Sequence, residues 1–423
     1  MALPISGISA GSVEFISQRY RFVSLPNSGA PAYFAVALPR SESDSGAMLP
    51  LAAQRGAGRV PAGRGLSPAL ALSSCFGEAV ELTSACLWGD EVYVRAPIAK
   101  VQSRAIDPSA LILFSDEQYR QRSSWNAVQA RSEWVPNPLN RELSLDWVEA
   151  MSLTHGRRIL VPAAVVYIGY AEAGDESSFA ISDSNGCAAA STWEEAVVVA
   201  FLELVERDAV ALWWMGADRK RPVDVSHIRD ASDLAHWIGD RPRRFEVLDL
   251  TTDLGIPAYA AVSATPEGRD VAFGSAANFD PASAILSAIT EMLQSEIALR
   301  LSSIGDGAND ILRWMSLVSF ETVPHLQSAG PPIRSILDER GPATASDAVE
   351  RCIRACNDAN LAMIAVNLTR AAIGIPVARV LVPGLRPSRC RFAPGRLFDV
   401  PTKLGWRSRR LAESELHKIP LLL

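Results

Sequence analysis

Hydrophobic residues along the chain form short β-branched runs and longer helical stretches, which together predict a mixed fold. Within residues 1–40, the runs VEFISQRYRFVSL and APAYFAVAL are rich in β-branched and aromatic residues, so they predict two strands separated by an NSG turn. The run RRILVPAAVVYIGY at 157–170 has the composition of a buried strand. Residues 41–67 are rich in glycine and serine and predict a flexible loop.

Two helices and an internal similarity complete the predicted architecture. Small and apolar residues at helical spacing predict one helix over about 68–89 and a more apolar helix over about 193–216. The segments 244–265 and 361–384 each contain a strand, a turn, Gly-Ile-Pro and a second strand, and each follows a helix-like stretch. We therefore expect an α+β fold of mixed β-sheets flanked by helices, with a pseudo-duplicated strand-turn-strand unit.

The composition is that of a globular protein and excludes several classes. Hydrophobic residues make up 48% of the 423 residues and charged residues 21%, which excludes a disordered or fibrous chain. The 41 Lys and Arg face 47 Asp and Glu, and the formal charge of −6 argues against a nucleic-acid binder. Because no secretory signal and no long apolar run is present, we expect a cytoplasmic protein without a membrane span.

The six cysteines lack the dense spacing of a disulfide scaffold. Cys352 and Cys356 lie one helical turn apart, but no second Cys or His pair completes a zinc site. We therefore expect reduced thiols that serve in packing.

The candidate chemistry lies in glutamates that interrupt the apolar helices. In WEEAVVVAFLELVERDAVALWWM, Glu195, Glu203 and Glu206 lie within about 80° of one another around the helix axis, and Arg207 follows directly. Like charges on one stripe are unfavourable unless water, an arginine or metal ions neutralise them. The stripe is therefore either a solvated face or a cation-binding surface.

A similar pattern occupies the earlier helix, where Ser74, Glu78 and Glu81 recur at spacings of four and three. A solvated face is again the alternative. If the two helices met, their carboxylates would make an all-oxygen site for Mg²⁺ with room for phosphate oxygens. The small-residue segments GRGLS and SNGCAAAST precede the two helices and would let backbone N–H groups approach an anion, although neither is a Walker A loop.

Four motifs follow one another along the chain, and they are SSCFGEAVE, SNGCAAASTWEEAVVVAFLELVERDA, AITEMLQSE and PVARVLVPGL. In this order they resemble the YcaO family of ATP-dependent peptide-modifying enzymes, and the resemblance extends from about residue 10 to the end. It implies a single YcaO-type domain over 1–423. Within it we expect N-terminal strands and a loop over 1–60, an ATP-binding core over 61–385, and a C-terminal tail over 386–423 that reaches toward the active site.

The ATP site of that family is built from acidic helices, and the resemblance implies which residues of this chain form it. The implied Mg²⁺ ligands are Glu78, Glu81, Glu195, Glu203 and Glu206. ATP is implied to contact Arg64, Ser74, Glu78, Glu81, Ser191, Glu195, Glu203, Glu206, Arg207, Glu291 and Gln294. The implied catalytic residues are Glu203, Glu206, Arg207 and the terminal carboxylate of Leu423.

Some positions depart from the family pattern. Ser287 stands where many relatives carry an arginine, and Ala190 replaces a glycine after the SNG motif. The tail RFAPGRLFDVPTKLGWRSRRLAESELHKIPLLL resembles the azoline-forming branch, although only Pro420 remains of its terminal prolines. His417 in this tail is a further catalytic candidate.

The resemblance implies a cyclodehydratase, the D protein of thiazole/oxazole-modified peptide synthetases. Such an enzyme uses ATP to phosphorylate amide oxygens and converts Cys, Ser or Thr of a ribosomal precursor peptide to thiazolines or oxazolines. Implied partners are that peptide, a ThiF-like or ubiquitin-activating-enzyme-like protein that binds its leader, and an FMN-dependent azoline dehydrogenase. The alternatives are a thioamide-forming enzyme with a TfuA-type partner and a non-catalytic peptide-binding scaffold.

Overall fold

A computed structural model describes residues 8–27, 29–40, 60–170, 178–226, 228–302, 309–334 and 341–421. Its helices of eight or more residues are α1 (Ala10–Arg19), α2 (Pro68–Ala85), α3 (Trp193–Gly216), α4 (Arg229–Gly239), α5 (Pro281–Ser302), α6 (Asn309–Leu317), α7 (Ala345–Asp358) and α8 (Arg396–Lys403). Its strands are β1 (Tyr20–Leu25), β2 (Tyr33–Pro39), β3 (Ala62–Gly65), β4 (Val94–Pro97), β5 (Ser144–Ser152), β6 (Arg157–Pro162), β7 (Cys187–Ala189), β8 (Arg244–Asp249), β9 (Ala258–Ala264), β10 (Ala272–Ala277), β11 (Ile364–Asn367) and β12 (Val377–Leu381).

The named strands pair antiparallel in three sheets. One sheet has the order β1-β2-β3, a second has β10-β9-β8, and the largest has β4-β5-β11-β12-β7 with β6 paired to β5. Helices pack on these sheets, so the expected α+β architecture of mixed helices and sheets is confirmed. Both predicted strand-turn-strand units are antiparallel hairpins, β8–β9 and β11–β12, and they follow α4 and α7 respectively.

Three predictions of local structure were wrong. The run VEFISQRYRFVSL begins as a helix, because the Ser9 hydroxyl caps α1 by accepting the Ser12 N–H at 3.1 Å, and only its second half forms β1. Residues 41–67 are predicted to form a loop, but β3 lies within them. Their part at 41–59 lies outside the described residues. The strand predicted over 157–170 ends at Pro162, where a 3₁₀ turn begins.

Gly63 of β3 sits where no side chain fits. A Cβ at this position would lie 2.1 Å from the Cys75 nitrogen and 2.2 Å from the Ala71 carbonyl oxygen of α2. The glycine therefore lets β3 pack directly on the backbone of the helix.

Gly63→Ala should destabilise the fold, because β3 must move away from α2 to admit the methyl group. We expect a loss of about 1–3 kcal/mol in the free energy of unfolding, measured by urea titration. Gly77→Ala in α2 is the matched control, since no atom lies within 4 Å of its Cβ position and alanine favours a helix. Equal stabilities for the two variants would contradict this packing argument.

The described part of the tail packs on the C-terminal half of α3. The His417 N–H donates to the Met215 carbonyl at 2.8 Å, and Leu421 joins the same hydrophobic core. Met215 lies about 14 Å along the helix axis from Glu206, given a rise of about 1.5 Å per residue. Leu423 lies outside the described residues. No helix in the described ranges is both long and apolar enough to cross a membrane.

Candidate active site

A cleft of about 770 Å³ lies where α2, α3 and α5 meet the strands β3 and β7. This volume lies within the range of small-molecule sites, about 300–1,000 Å³. We call it the glutamate cleft, because its lining includes Glu78, Glu81, Glu203, Glu206 and Glu291.

Glu203 is held by the SNG segment before β7. Its Oε2 accepts the Gly186 N–H at 2.9 Å, and its Oε1 accepts Nη2 of Arg207 at 3.2 Å. Gly186 has a φ of +76°, and a Cβ there would lie 2.5 Å from the Val380 carbonyl oxygen. The glycine of the motif is therefore required for the backbone contact that orients the carboxylate.

Glu206 lies one turn further along α3. Its Oε1 accepts the Ser275 hydroxyl at 2.6 Å and lies 3.3 Å from Nη1 of Arg207. Only 13% of its side chain is exposed. Burial raises the pKa of Glu206 to about 7, with Arg207 opposing the shift and the charge of Glu291 adding to it.

The glutamates of α2 meet those of α3. Glu78 accepts the Ala62 N–H of β3 at 2.9 Å. Burial raises the pKa of Glu81 well above its usual range, and the charges of Glu203 and Glu78 add to the shift. These four carboxylates are partly buried, so a solvated face is the wrong interpretation for them, whereas Glu195 on the same stripe of α3 is exposed.

Helix α5 closes the cleft opposite Arg64. Nη2 of Arg64 lies 3.5 Å from Oε2 of Glu291, and its Nη1 donates to Oε1 of Gln294 at 3.4 Å. Glu291 also accepts the Ser275 N–H at 2.9 Å. The Arg64 guanidinium of β3 and the Glu291 carboxylate of α5 thus form one network that crosses the cleft.

Three of the predicted site residues that the structure describes do not line the cleft, and they are Ser191, Glu195 and Gln294, although Gln294 accepts a hydrogen bond from Arg64. Glu195 forms a capping box with Thr192, whose N–H it accepts at 3.2 Å, so the structure gives this carboxylate the role of a helix cap. Ser191 is exposed just before that cap. Leu423 is not described. Ser74 and Arg207 do line the cleft.

Two residues near the cleft were missed by the sequence reasoning. Ser275 bridges Glu206 and Glu291, and nothing in its local sequence marks this role. Arg379 on β12 is 4% exposed, and its charge opposes the raised pKa of Glu81. A charged residue inside the apolar run PVARVLVPGL was a signal that could have identified it.

The donor set fits Mg²⁺ that is shared with phosphate. Among the described residues, no three acidic, imidazole or thiol side chains are grouped closely enough to hold a metal by themselves. Mg²⁺ is commonly bound through one or two carboxylates, waters and substrate phosphates. Burial raises the pKa values of Glu81 and Glu206 and neighbouring carboxylates add to both shifts, so a divalent cation would favour the ionised forms. All six cysteines are free and buried, as expected.

Binding of a magnesium nucleotide should weaken as the pH falls through about 7. Below the pKa of Glu206 a proton neutralises its carboxylate and competes with the cation, whereas above it the carboxylate is free to bind. We expect the Kd for Mg²⁺ with a non-hydrolysable ATP analogue to rise several-fold from pH 8 to pH 6 in calorimetry. Glu206→Gln should bind more weakly but with a shallower pH dependence; identical profiles would contradict the assignment.

The chain is similar to proteins of one family. The family profile described as "YcaO cyclodehydratase, ATP- and Mg²⁺-binding" matches residues 62–386. A solved structure described as a heterocyclase in complex with substrate and cofactor is 32% identical, with a TM-score of 0.85, over 95% of this chain and 54% of that chain. The heterocyclase TruD is 34% identical, with a TM-score of 0.75, over 84% of this chain and 52% of TruD.

The chain therefore spans about half the length of these two heterocyclases. A shorter match is to an uncharacterised protein in the tfuA 3′ region of Rhizobium leguminosarum bv. trifolii. It is 31% identical over 179 residues, which are 39% of this chain and 41% of that protein.

Proposed function

The chain belongs to the YcaO cyclodehydratase family, and from this premise we propose that it is an ATP-dependent peptide cyclodehydratase. Its substrate is a ribosomal precursor peptide whose Cys, Ser or Thr residues become thiazolines or oxazolines. The observation that carries the proposal is the glutamate cleft, set in a fold that matches heterocyclases along nearly the whole chain.

In this proposal four carboxylates of the glutamate cleft bind the metal, and two arginines bind phosphates. Glu78 and Glu81 of α2 and Glu203 and Glu206 of α3 would bind Mg²⁺ with the nucleotide's phosphates. Bound Mg²⁺ supplies charge neutralisation at the transferring phosphoryl group. Arg207 and Arg64 line the same cleft and would donate hydrogen bonds to phosphate oxygens.

The proposed reaction removes the amide oxygen as phosphate. The Cys thiol or the Ser or Thr hydroxyl adds to the preceding carbonyl carbon and loses its proton. The resulting oxyanion takes the γ-phosphoryl group of ATP, which releases ADP. The C–O bond then breaks as the amide N–H loses its proton, and the products are the azoline and inorganic phosphate.

The chain's own contribution is positioning and electrostatics. Glu203 and Glu206 fix Arg207 from two sides, so its guanidinium is oriented before the nucleotide arrives. The pKa of about 7 for Glu206 also suits a group that accepts a proton near neutral pH when no cation holds it. The proposal needs no covalent nucleophile, and burial raises the pKa values of the Cys75 and Cys187 thiols to about 12, which leaves both unreactive.

The proposal includes partners and a compartment. A ThiF-like or ubiquitin-activating-enzyme-like protein would bind the precursor's leader, and an FMN-dependent dehydrogenase would oxidise azolines to azoles. The cytoplasm is the proposed location.

The mass of a precursor peptide tests the activity. We expect loss of one water per ring after incubation with the chain, its leader-binding partner, ATP and Mg²⁺, and no loss without ATP. An unchanged mass with an active partner present would contradict the proposal.

A second candidate is thioamide formation with a TfuA-type partner. The relative from the tfuA 3′ region supports it, although that match covers 39% of this chain. Both reactions begin by activating an amide oxygen, so the same cleft could serve either. Replacement of oxygen by sulfur in the peptide mass, on addition of sulfide and the TfuA-type partner, would favour this second candidate.

A further inference from the structure

A second, smaller cavity shares Arg207 with the glutamate cleft. We call it the arginine pocket, because it is lined by Arg207, Arg379, Arg386, Arg389 and Arg391, together with Asp183. Its volume is about 130 Å³, against about 770 Å³ for the glutamate cleft. The arginine pocket can hold a small ion and some water but has no room for a nucleotide.

Three of these arginines are buried with unused donors. Arg207, Arg379 and Arg386 are 7%, 4% and 2% exposed, and the Nε–H of each has no hydrogen-bond partner among the described residues. They come from two separate parts of the chain, which are α3 and the continuous stretch from β12 into the loop after it. Buried polar groups are nearly always paired, so three unused donors around one cavity indicate a ligand that accepts hydrogen bonds.

The other N–H groups of Arg386 donate to uncharged carbonyl oxygens, which do not neutralise the charge of the guanidinium. Nη2 donates to the Pro394 carbonyl at 2.8 Å and Nη1 to the Arg391 carbonyl at 3.4 Å. Burial lowers the pKa of Arg386 to about 10, with the nearby charge of Asp208 opposing that shift. An anion in the pocket would supply the compensation that these carbonyl groups cannot.

Asp183 in the pocket lining, and Glu133 outside it, are each shared between two arginines. Glu133 lies 3.4 Å from Nη1 of Arg389 and 3.9 Å from Nη1 of Arg391. Asp183 lies 3.4 Å from Nε of Arg389 and 3.8 Å from Nη2 of Arg379. These two carboxylates therefore face three arginines, while Arg207 pairs with Glu203 and Glu206 of the glutamate cleft.

We propose that the arginine pocket is a binding site for inorganic phosphate, separate from the nucleotide site. Three guanidinium groups around one cavity suit a tetrahedral anion, which presents oxygens in several directions. Asp183 selects among such anions, because the ionised carboxylate only accepts hydrogen bonds and phosphate near neutral pH retains a P–OH group, whereas sulfate has none.

The source of the ion rests on the proposed function, since amide activation by ATP releases phosphate beside Arg207. The binding itself does not depend on that function. It can therefore be measured on the full chain without a peptide or a partner, and a failure to cyclise peptides would leave the result interpretable.

Calorimetry with inorganic phosphate tests the proposal. Phosphate should bind equally well to the free chain and to the chain saturated with Mg²⁺ and a non-hydrolysable ATP analogue. Arg379→Gln and Arg386→Gln should each weaken phosphate binding at least about tenfold, because each removes charge-assisted donors. Arg386→Gln should leave the Kd of the analogue unchanged, and retained analogue binding shows that this variant is folded.

Matched variants separate this site from its surroundings. Arg64→Gln in the glutamate cleft should weaken binding of the analogue but not of phosphate. Arg95→Gln, at a side chain that is 73% exposed, should change neither Kd. Asp183→Asn should abolish the preference for phosphate over sulfate.

Several outcomes would overturn the proposal. They are competition between phosphate and the analogue, no saturable phosphate binding, equal binding of sulfate by the unmodified chain, or unchanged phosphate affinity in both arginine variants.

Discussion

Glu203→Gln should lower the ATP-dependent turnover of peptide by at least about 100-fold. Glutamine keeps the shape of the side chain and can still accept the Gly186 N–H, which Glu203 accepts at 2.9 Å. It removes the negative charge that faces Arg207 and, in the proposed site, Mg²⁺. Because the loss is one of charge and not of packing, the effect should fall on turnover and leave the fold intact.

Peptide mass spectrometry and phosphate release measure this effect, and Glu194→Gln is the matched control. Glu194 lies in the first turn of the same helix and is exposed outside the glutamate cleft, so its loss should leave turnover within about twofold. Thermal unfolding should show both variants folded. Full turnover in Glu203→Gln would contradict the role proposed for its carboxylate.

The second large effect concerns stability, at the ion pair that joins the tail to α3. Arg396 of α8 donates Nη2 to Oδ2 of Asp208 at 2.6 Å and Nε to its Oδ1 at 3.1 Å. The same Nη2 donates to Asp253 at 2.8 Å. Asp208 is fully buried, and Arg396 and Asp253 are 9% and 6% exposed.

Arg396→Met should lower the free energy of unfolding by about 3–5 kcal/mol, because it leaves the buried Asp208 carboxylate without its ion-pair partner and leaves Asp253 with Lys403 alone. Urea titration measures the loss. The control is Arg410→Met, whose partner Asp399 lies 3.1 Å away with both side chains more than half exposed, so its loss should cost about 0–1 kcal/mol. Similar losses for the two variants would show that the buried pair does not anchor the tail.

The parts of the site that the sequence predicted are those with a strong local pattern. The apolar periodicity of residues 193–216 predicted α3 along its whole length. The spacing of Glu78 and Glu81 placed them on one face of α2, and the family resemblance brought that face to α3. These predictions succeeded because each depends on helical geometry within one segment.

The parts that the sequence could not predict depend on contacts between distant segments. Glu195 lies on the same helix stripe as Glu203 and Glu206. Its carboxylate instead accepts the Thr192 N–H, which has no partner within the helix because it lies at the helix start. Ser275 reaches Glu206 only because β10 packs beside α3. The strand β3 was read as loop because glycine is rare in strands, whereas Gly63 is needed there to approach α2.

The fate of the amide oxygen tests the central claim most directly. A precursor peptide labelled with oxygen-18 at the carbonyl before a cyclised residue would be incubated with the chain, its leader-binding partner, ATP and Mg²⁺, and the released phosphate analysed by mass. Phosphorylation of the amide oxygen predicts one oxygen-18 atom in the phosphate for each ring formed. Unlabelled phosphate formed together with rings would contradict the claim, because the oxygen would then leave without having been bonded to phosphorus.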